Sequence, residues 1–258
     1  MVQRGLANLD TAGGAAVIAQ RRLRETLKKG PGCQNPNGKY LKGARMPFTT
    51  EEESFWNGRF GDEYIERNQG EDLVAASLSF FSKALDRTKA VHSVLEMGSN
   101  VGINLEAITR LLPKARLSAI EINHKAAREL KKKLPNVDLH VTSILEFQPE
   151  KKWDLVFTKG VLIHINPEKL STVYELMHRS SSRYVLIAEY YNPEPVEVVY
   201  HGHEGKLYKR DFAGEMLDSF PDLSLVDYGF AYHREANFLQ GDLTWFLLEK
   251  DKDRTGPF

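Results

Sequence analysis

Beyond about residue 90 the chain alternates short apolar runs with longer amphipathic ones. The segments "SVLEM" (93–97), "RLSAIEI" (116–122), "DLHVTS" (138–143), "WDLVFTKGVL" (153–162) and "RYVLIAEYY" (183–191) read as strands. Between them, "INLEAITRLL", "HKAARELKKKL" and "PEKLSTVYELMHRS" carry apolar residues at the helical period. Largely apolar strands alternating with helices of this length imply a parallel sheet covered on both faces. The last two strands break the rhythm. "DLSLVDYGFAYH" and "LTWFLLEK" have only a loop between them, which predicts an antiparallel hairpin at one edge. The expected fold class is α/β: a doubly wound, mostly parallel seven-stranded sheet closed by a C-terminal antiparallel hairpin.

Upstream, "TTEEESFW" sets Thr50 three residues ahead of Glu53, the spacing of a capping box, and predicts a helix start. "EDLVAASLSFFSKAL" repeats Leu73, Leu78, Phe81 and Leu85 at helical spacing. Residues 46–90 therefore form a helical lid segment ahead of the sheet. Residues 1–45 differ from this. "AAVIAQRRLRETLKK" combines helix formers with a basic face, and "GPGCQNPNGKYLKGAR" gathers turn-favouring Gly, Pro and Asn. They read as a mobile extension carrying one helix, with 91–250 the main domain and 251–258 a tail.

Composition narrows the class. Lys plus Arg number 35 and Asp plus Glu number 35, so no net charge favours a nucleic-acid or membrane surface. Cys33 is the single cysteine, which excludes an internal disulfide framework and a Cys-based zinc site. No apolar run reaches the ~18 residues of a membrane span. "AAVIA" is too short for a signal-peptide core. The expectation is a cytoplasmic protein, monomer or homodimer, with no nucleic-acid partner and no membrane.

In a doubly wound sheet, ligands sit beyond the carboxyl ends of the strands, where the chain order reverses. The first such end is "LEMGSNVGIN". Gly98 and Gly102, with Ser99 and Asn100 between them, let backbone approach a ligand, and the next helix offers free N–H groups. A dinucleotide loop has the pattern G-x-G-x-x-G. This loop is one glycine short and has Glu96 at its entrance, where a pyrophosphate would be repelled. A carboxylate there suits the cationic amino-acid end of S-adenosylmethionine (SAM). Glu121 ends the second strand about twenty residues on, where an acid takes both ribose hydroxyls, with Ile122 beside it. Ser143 and Ile144 end the third strand at the height of an adenine. Thr158 and Lys159 end the fourth, beside the methionine part.

The segments "FWNGRFGDEYIERN", "LEMGSNVGIN", "KGVLIHINPE", "LIAEYYNPEPVEV", "GHEGKLYKRDFAGEM" and "DLTWFLLEK" carry a family likeness. Over residues 46–250 the chain resembles class I SAM-dependent methyltransferases, most closely the pseudaminic acid biosynthesis-associated methylases. The resemblance implies a Rossmann-like fold, SAM as methyl donor with S-adenosylhomocysteine as product, and an acceptor from a nonulosonic-acid or nucleotide-sugar pathway. Many relatives carry Asp where Ser143 stands, which leaves the adenine to the Ser143 hydroxyl and the Ile144 backbone. A second resemblance is to small phosphonate O-methyltransferases, whose aromatic N-terminal segment lies over the cofactor.

For the acceptor, Trp56, Phe60 and Tyr64 form an aromatic lid. Phe60 reads as a core cap, Tyr64 as a ring closing over the sulfonium, and Arg67 as a carboxylate clamp. Methyl transfer is an in-line displacement, so placing the acceptor is the main task. A hydroxyl acceptor also needs a base, and His164 in "HINPE" is the expected one, with Tyr190 or Tyr191 second. Asn192, His201, His203, Lys206, Lys209 and Arg210 follow the fifth strand and include a cationic cluster suited to an anionic small-molecule acceptor. "HGHE" is too slight a pattern to imply a metal. Phosphonate, carboxylate and amine acceptors stay open as alternatives, as does a SAM-binding sensor or inactive partner subunit. A nucleic-acid substrate is disfavoured by the balanced charge and by "TKGV" standing where an "NPPY"-like tetrapeptide would.

Overall fold

The computed structural model describes residues 48–251; the expected extension at 1–45 and the tail beyond Asp251 lie outside the described residues. Three helices precede the sheet: α1 (Glu51–Trp56), α2 (Arg59–Arg67) and α3 (Glu71–Ala84). α1 starts at the expected capping box, with the Glu53 N–H donated to the Thr50 side chain and the Thr50 N–H donated to the Glu53 carboxylate at 2.7 Å. It stops at Asn57, and extended Gly58 separates it from α2. In α3 the buried stripe is Val74, Ala76, Ser77, Phe80, Phe81 and Ala84. Leu73 and Leu78, expected on that stripe, are only half-buried: Leu73 lines a cavity instead, and Leu78 packs at the edge of the core.

The main domain then runs β1 (Ser93–Met97), α4 (Ile103–Leu111), β2 (Arg116–Ile120), α5 (His124–Lys133), β3 (Asp138–His140), β4 (Trp153–Lys159), α6 (Leu170–Ser180) and β5 (Ser181–Glu189). It continues with β6 (Val196–Glu197), β7 (Tyr208–Lys209), α7 (Phe212–Ser219), β8 (Leu223–Ala231) and β9 (Leu243–Lys250). Seven strands form one sheet in the order β3-β2-β1-β4-β5-β9-β8. The first five are parallel, and β9 runs antiparallel between β5 and β8. This is the expected fold class. Two elements had no sequence signal: the small β6–β7 ladder, in a Pro- and Gly-rich stretch, and α7, whose eight residues give too short a periodic pattern.

Alternation along the central strands supplies two cores. Leu95, Met97, Val156, Val185 and Ile187 face α6 and α7, while Val94, Leu155, Phe157 and Leu186 face α3 and α4. Each fully buried side chain of this size contributes roughly 1.5–3 kcal/mol, so the carboxyl ends of β1 and β4 form a rigid platform. β1 pairs with β2 on one side and β4 on the other, which puts the reversal of chain order, and hence the crevice, at the end of β1. Among the described residues no helix is long and apolar enough to cross a membrane.

Candidate active site

A cavity of about 380 Å³ opens at that crevice. Its floor comes from the loops after β1, β2, β3 and β4, and its roof from α1 and α2.

The loop after β1 is tied down before it meets any ligand. The Gly98 and Ser99 N–H groups both donate to the Ile120 carbonyl, at 2.9 and 3.1 Å. Gly98 has φ +79°, and a Cβ there would lie 2.7 Å from Val161 Cγ2. Gly102 is the left-handed N-cap of α4, and a Cβ on it would meet Leu130 Cγ at 2.9 Å. The two glycines thus do different work. Gly98 lines the cavity, whereas Gly102 lies outside the wall and lets α4 approach α5.

Glu121 stands in the wall with both oxygens held: Asn100 N–H donates to Oε2 at 2.6 Å and Asn123 N–H to Oε1 at 2.7 Å. Burial pushes its carboxyl up to about 7. A carboxylate has about four acceptor sites, so capacity for a vicinal diol remains. Glu96 is fully buried and outside the wall. Asn104, which is in the wall, donates to Glu96 Oε1 at 2.7 Å, and Oε2 has no partner among the described residues. Burial raises the Glu96 carboxyl to about 8 and lowers the Lys159 ammonium, which lines the cavity, to about 8. Lys159, still mainly cationic at neutral pH, and Asn104, backed by a mainly protonated Glu96, line the cavity and fit the carboxylate and amine of an amino-acid moiety, and Glu121 fits a ribose. Ile122, Ser143 and Ile144 are also in the wall; Thr158 is buried within β4 outside it.

The roof is fastened to three of the strand-end loops. Asn123 Nδ2 donates to the Trp56 carbonyl at 3.1 Å and to Asp62 at 3.0 Å. The Ser143 hydroxyl donates to the Glu53 carboxylate, and Asn166 Nδ2 lies 3.5 Å from Glu52 Oε1. Glu189, at the end of β5, is buried beneath and accepts from the N–H groups of Val161, Leu162 and Ile163, which fixes the turn carrying His164.

His164 is the centre of the acceptor end. Its Nδ1 lies 2.6 Å from the Lys206 carbonyl. A carbonyl can only accept, so Nδ1 carries the proton and Nε2 the lone pair. The ring sits between Trp56 and Tyr200, with centroids 4.6 and 4.8 Å away. Burial lowers its pKa to about 4, so the imidazole is neutral at physiological pH. Tyr190 lines the same wall, and burial pushes its phenol up, which makes it a hydrogen-bond donor rather than a base. Tyr64 is in the wall too, edge-on to Trp56 at 5.2 Å.

The other expected acceptor residues do not reach the cavity wall. Tyr191 is exposed beside Phe246, since successive residues leaving a strand point to opposite sides. Asn192 closes a local turn onto the Glu194 carbonyl at 2.6 Å. Arg210 is committed to Glu215 at 2.6 Å, and Lys206 Nζ lies 3.5 Å from Glu51, so its backbone carbonyl serves the site instead. His201 packs on Tyr200 and His203 on Phe55. Arg67 lies over the rings of Tyr64 and Phe60, at 5.3 and 5.5 Å, outside the wall. The cationic cluster expected after β5 therefore does not converge on the cavity.

Sequence reasoning missed Glu52, Glu53, Asn104, Asn123, Asn166 and Tyr200. Asn123 and Asn166 precede helical turns and carry an N-cap signal, which explains one bond of each but not the contact with the roof.

Residues 94–182 match a family model described as a methyltransferase domain. Malonyl-[acyl-carrier protein] O-methyltransferase 2 of Ilyobacter polytropus is 29% identical over 113 residues, covering 42% of this chain and 40% of that protein. Its O-methyltransferase 1 is 27% identical over 84 residues, covering 31% of each. The chain thus spans less than half the length of the curated relatives it matches. Among solved structures, magnesium protoporphyrin IX methyltransferase (ChlM) of Synechocystis PCC 6803 with bound SAM superposes with a TM-score of 0.56 at 14% identity, covering 78% of this chain and 98% of that one. The plantazolicin methyltransferase BpumL, in complex with a pentazolic desmethylPZN analog and S-adenosylhomocysteine, gives 0.53 at 15%, covering 78% and 95%. The described chain has the Rossmann-like fold of these solved methyltransferases, and residues 94–182 within it match the methyltransferase-domain model.

Proposed function

We propose that the protein is a SAM-dependent methyltransferase that methylates an oxygen of a small anionic acceptor of sugar type, in nonulosonic-acid or nucleotide-sugar chemistry. One observation carries the methyl-transfer part of this reading: a single cavity joins a glycine loop and Glu121 at one end to a neutral, backbone-fixed His164 at the other. The anionic, sugar-type acceptor rests on the family likeness of the sequence. SAM, when bound, supplies a sulfonium methyl open to in-line attack. Residues of this chain do the rest. The Gly98–Asn100 backbone and Glu121 hold the nucleoside, while Lys159 and the Glu96–Asn104 pair flank the amino-acid end. Tyr64, Trp56 and Tyr200 exclude water. His164 Nε2 takes the acceptor hydroxyl's proton while the Lys206 carbonyl holds Nδ1–H and keeps the tautomer. The same reading takes the protein as cytoplasmic, a monomer or homodimer.

A second reading has its own support. A base held down at about 4 is weak, and a carboxylate acceptor carries no proton to remove. The curated relatives are named for O-methylation of malonyl-[acyl-carrier protein], so methyl-ester formation on a carboxylate belongs in the same test. Calorimetry with SAM and S-adenosylhomocysteine, on the intact protein and Glu121→Ala, tests the cofactor. Transfer of labelled methyl to a panel of hydroxyl-bearing sugar acids and simple carboxylates then separates the acceptors. Binding without transfer to any member would instead support a sensor or partner subunit.

A further inference from the structure

The lid contributes more than cover. α1 puts two carboxylates against the loops that follow β3 and β4, and both are more than nine-tenths buried: Glu52 is 6% exposed and Glu53 7%. Both line the cavity beside Ser143 and Ile144. Glu52 Oε2 is buried with no hydrogen-bond partner among the described residues. Glu53 is only partly used. Its Oε2 takes the Thr50 N–H and hydroxyl, at 2.7 and 3.2 Å, and its Oε1 takes the Ser143 hydroxyl. One acceptor position on Oε1 is left. Next to it, the Ile144 N–H donates to no acceptor among the described residues. Glu53 is buried and Ile144 half-buried, so a ligand in this wall could meet an unfilled acceptor and an unfilled donor on neighbouring segments.

We propose that Glu53 of the lid helix is the residue that reads the exocyclic amine of the cofactor's purine, with the Ile144 N–H on the adjacent ring nitrogen and Glu52 as a further acceptor. This rests on the SAM reading above. A carboxylate only accepts hydrogen bonds, so it takes a 6-amino group and repels a 6-oxo group at the same place. The site thereby selects adenine over hypoxanthine. Ser143 acts as the positioning residue: its hydroxyl donates to Glu53 and its oxygen accepts the Leu145 N–H at 3.0 Å, which orients the carboxylate. Since Glu53 also forms the capping box of α1, recognition of the base and closure of the lid are one event.

The test measures binding of three ligands by calorimetry: S-adenosylhomocysteine, S-inosylhomocysteine with a 6-oxo group, and the purine analogue with hydrogen at position 6. The intact protein should prefer the adenosyl over the inosyl compound by about 100-fold or more. In Glu53→Gln, the amide keeps the capping-box geometry and can donate to a 6-oxo group. That variant should narrow the adenosyl-over-inosyl preference by about tenfold or more, the remainder coming from the inosyl N1–H set against the Ile144 N–H, while binding the 6-hydrogen analogue as the intact protein does. Thr50→Val loosens the same cap by removing the hydroxyl donor at Glu53 Oε2, leaves Oε1 and its Ser143 bond in place, and should lower all three affinities by one common factor. Two results overturn the assignment: Glu53→Gln keeping the original preference, or Glu53→Gln weakening all three ligands equally, as Thr50→Val does. If the intact protein binds none of the three, the SAM reading itself fails, and this one with it.

Discussion

The two ends of the cavity are built in different ways. The end at the β1 loop is made of backbone: two amides on the Ile120 carbonyl, a left-handed Gly98 against Val161, and Glu121 bridging two further N–H groups. All of it comes from strand ends that the sheet fixes. The end around His164 is made of side chains from three separated segments, with Trp56 from the lid, Tyr190 from the end of β5 and Tyr200 from the insert around β6 and β7. Its central residue is held by a carbonyl forty-two positions along the chain. The first kind of site is rigid because the core beneath it is rigid. The second depends on the lid and insert arriving together.

That contrast ranks the substitutions. The largest effect is expected from Gly98→Val, which puts a branched side chain at φ +79° with its Cβ 2.7 Å from Val161. Strain of ~1–3 kcal/mol adds to overpacking of similar size. Thermal unfolding should show a loss of about 4 kcal/mol, and calorimetry should show no cofactor binding. A Val variant that still binds would mean the backbone end is softer than its geometry implies.

His164→Asn comes next and breaks the other end. The amide can still donate to the Lys206 carbonyl but cannot take a proton. For a hydroxyl acceptor, kcat should fall roughly 10²–10³-fold with cofactor affinity unchanged; for a carboxylate acceptor it should scarcely move. In the intact enzyme the base is the deprotonated form and its pKa is near 4, so the rate should hold level from neutral pH downward and fall only as pH approaches about 4. Stability follows the same sign. The folded pKa lies below the free value of 6.5, so the unfolded chain binds more protons and stability drops as pH falls from 6.5 towards about 4. The Asn variant should lose that slope in a Tm-against-pH series.

The same contrast explains what could be read in advance. Strand and helix order, the seven-stranded sheet and the hairpin follow from apolar periodicity, because each element buries its own face. That Gly98 and Glu121 stand at the crevice was legible because a strand end plus a glycine is a local pattern. Arg67 was expected as a carboxylate clamp and Arg210 as part of a cationic cluster, yet nothing local reveals that Arg210 finds Glu215 or that Arg67 lies over two rings, both outside the cavity wall. Glu53 was legible as a capping residue, while its bond to Ser143, ninety positions away, belongs to tertiary structure alone. Glu121→Ala sharpens this boundary with an intermediate effect. It leaves the Asn100 and Asn123 N–H groups without acceptors, so cofactor affinity should fall about 10–100-fold with little change in kcat at saturation.

The smallest effect is expected where sequence and structure disagree most. If Arg210 recognised an anionic acceptor, Arg210→Met would raise KM for that acceptor tenfold or more, roughly the 1.5–3 kcal/mol of a charged hydrogen bond. In the structure its Nε donates to Glu215 Oε1 at 2.6 Å, and Glu215 Oε2 accepts the Tyr174 hydroxyl at 2.7 Å. Both partners lie on the side of the sheet where α6 and α7 pack, with Tyr174 buried in that core. Removing the guanidinium therefore leaves a carboxylate with one donor fewer at the edge of a core. The expected cost is about 1–2 kcal/mol of stability, read as a lower Tm, with KM for the acceptor within twofold of the intact enzyme. A variant that keeps its Tm and loses acceptor affinity would return Arg210 to the site, and would mean the insert around β6 and β7 rearranges when the acceptor binds.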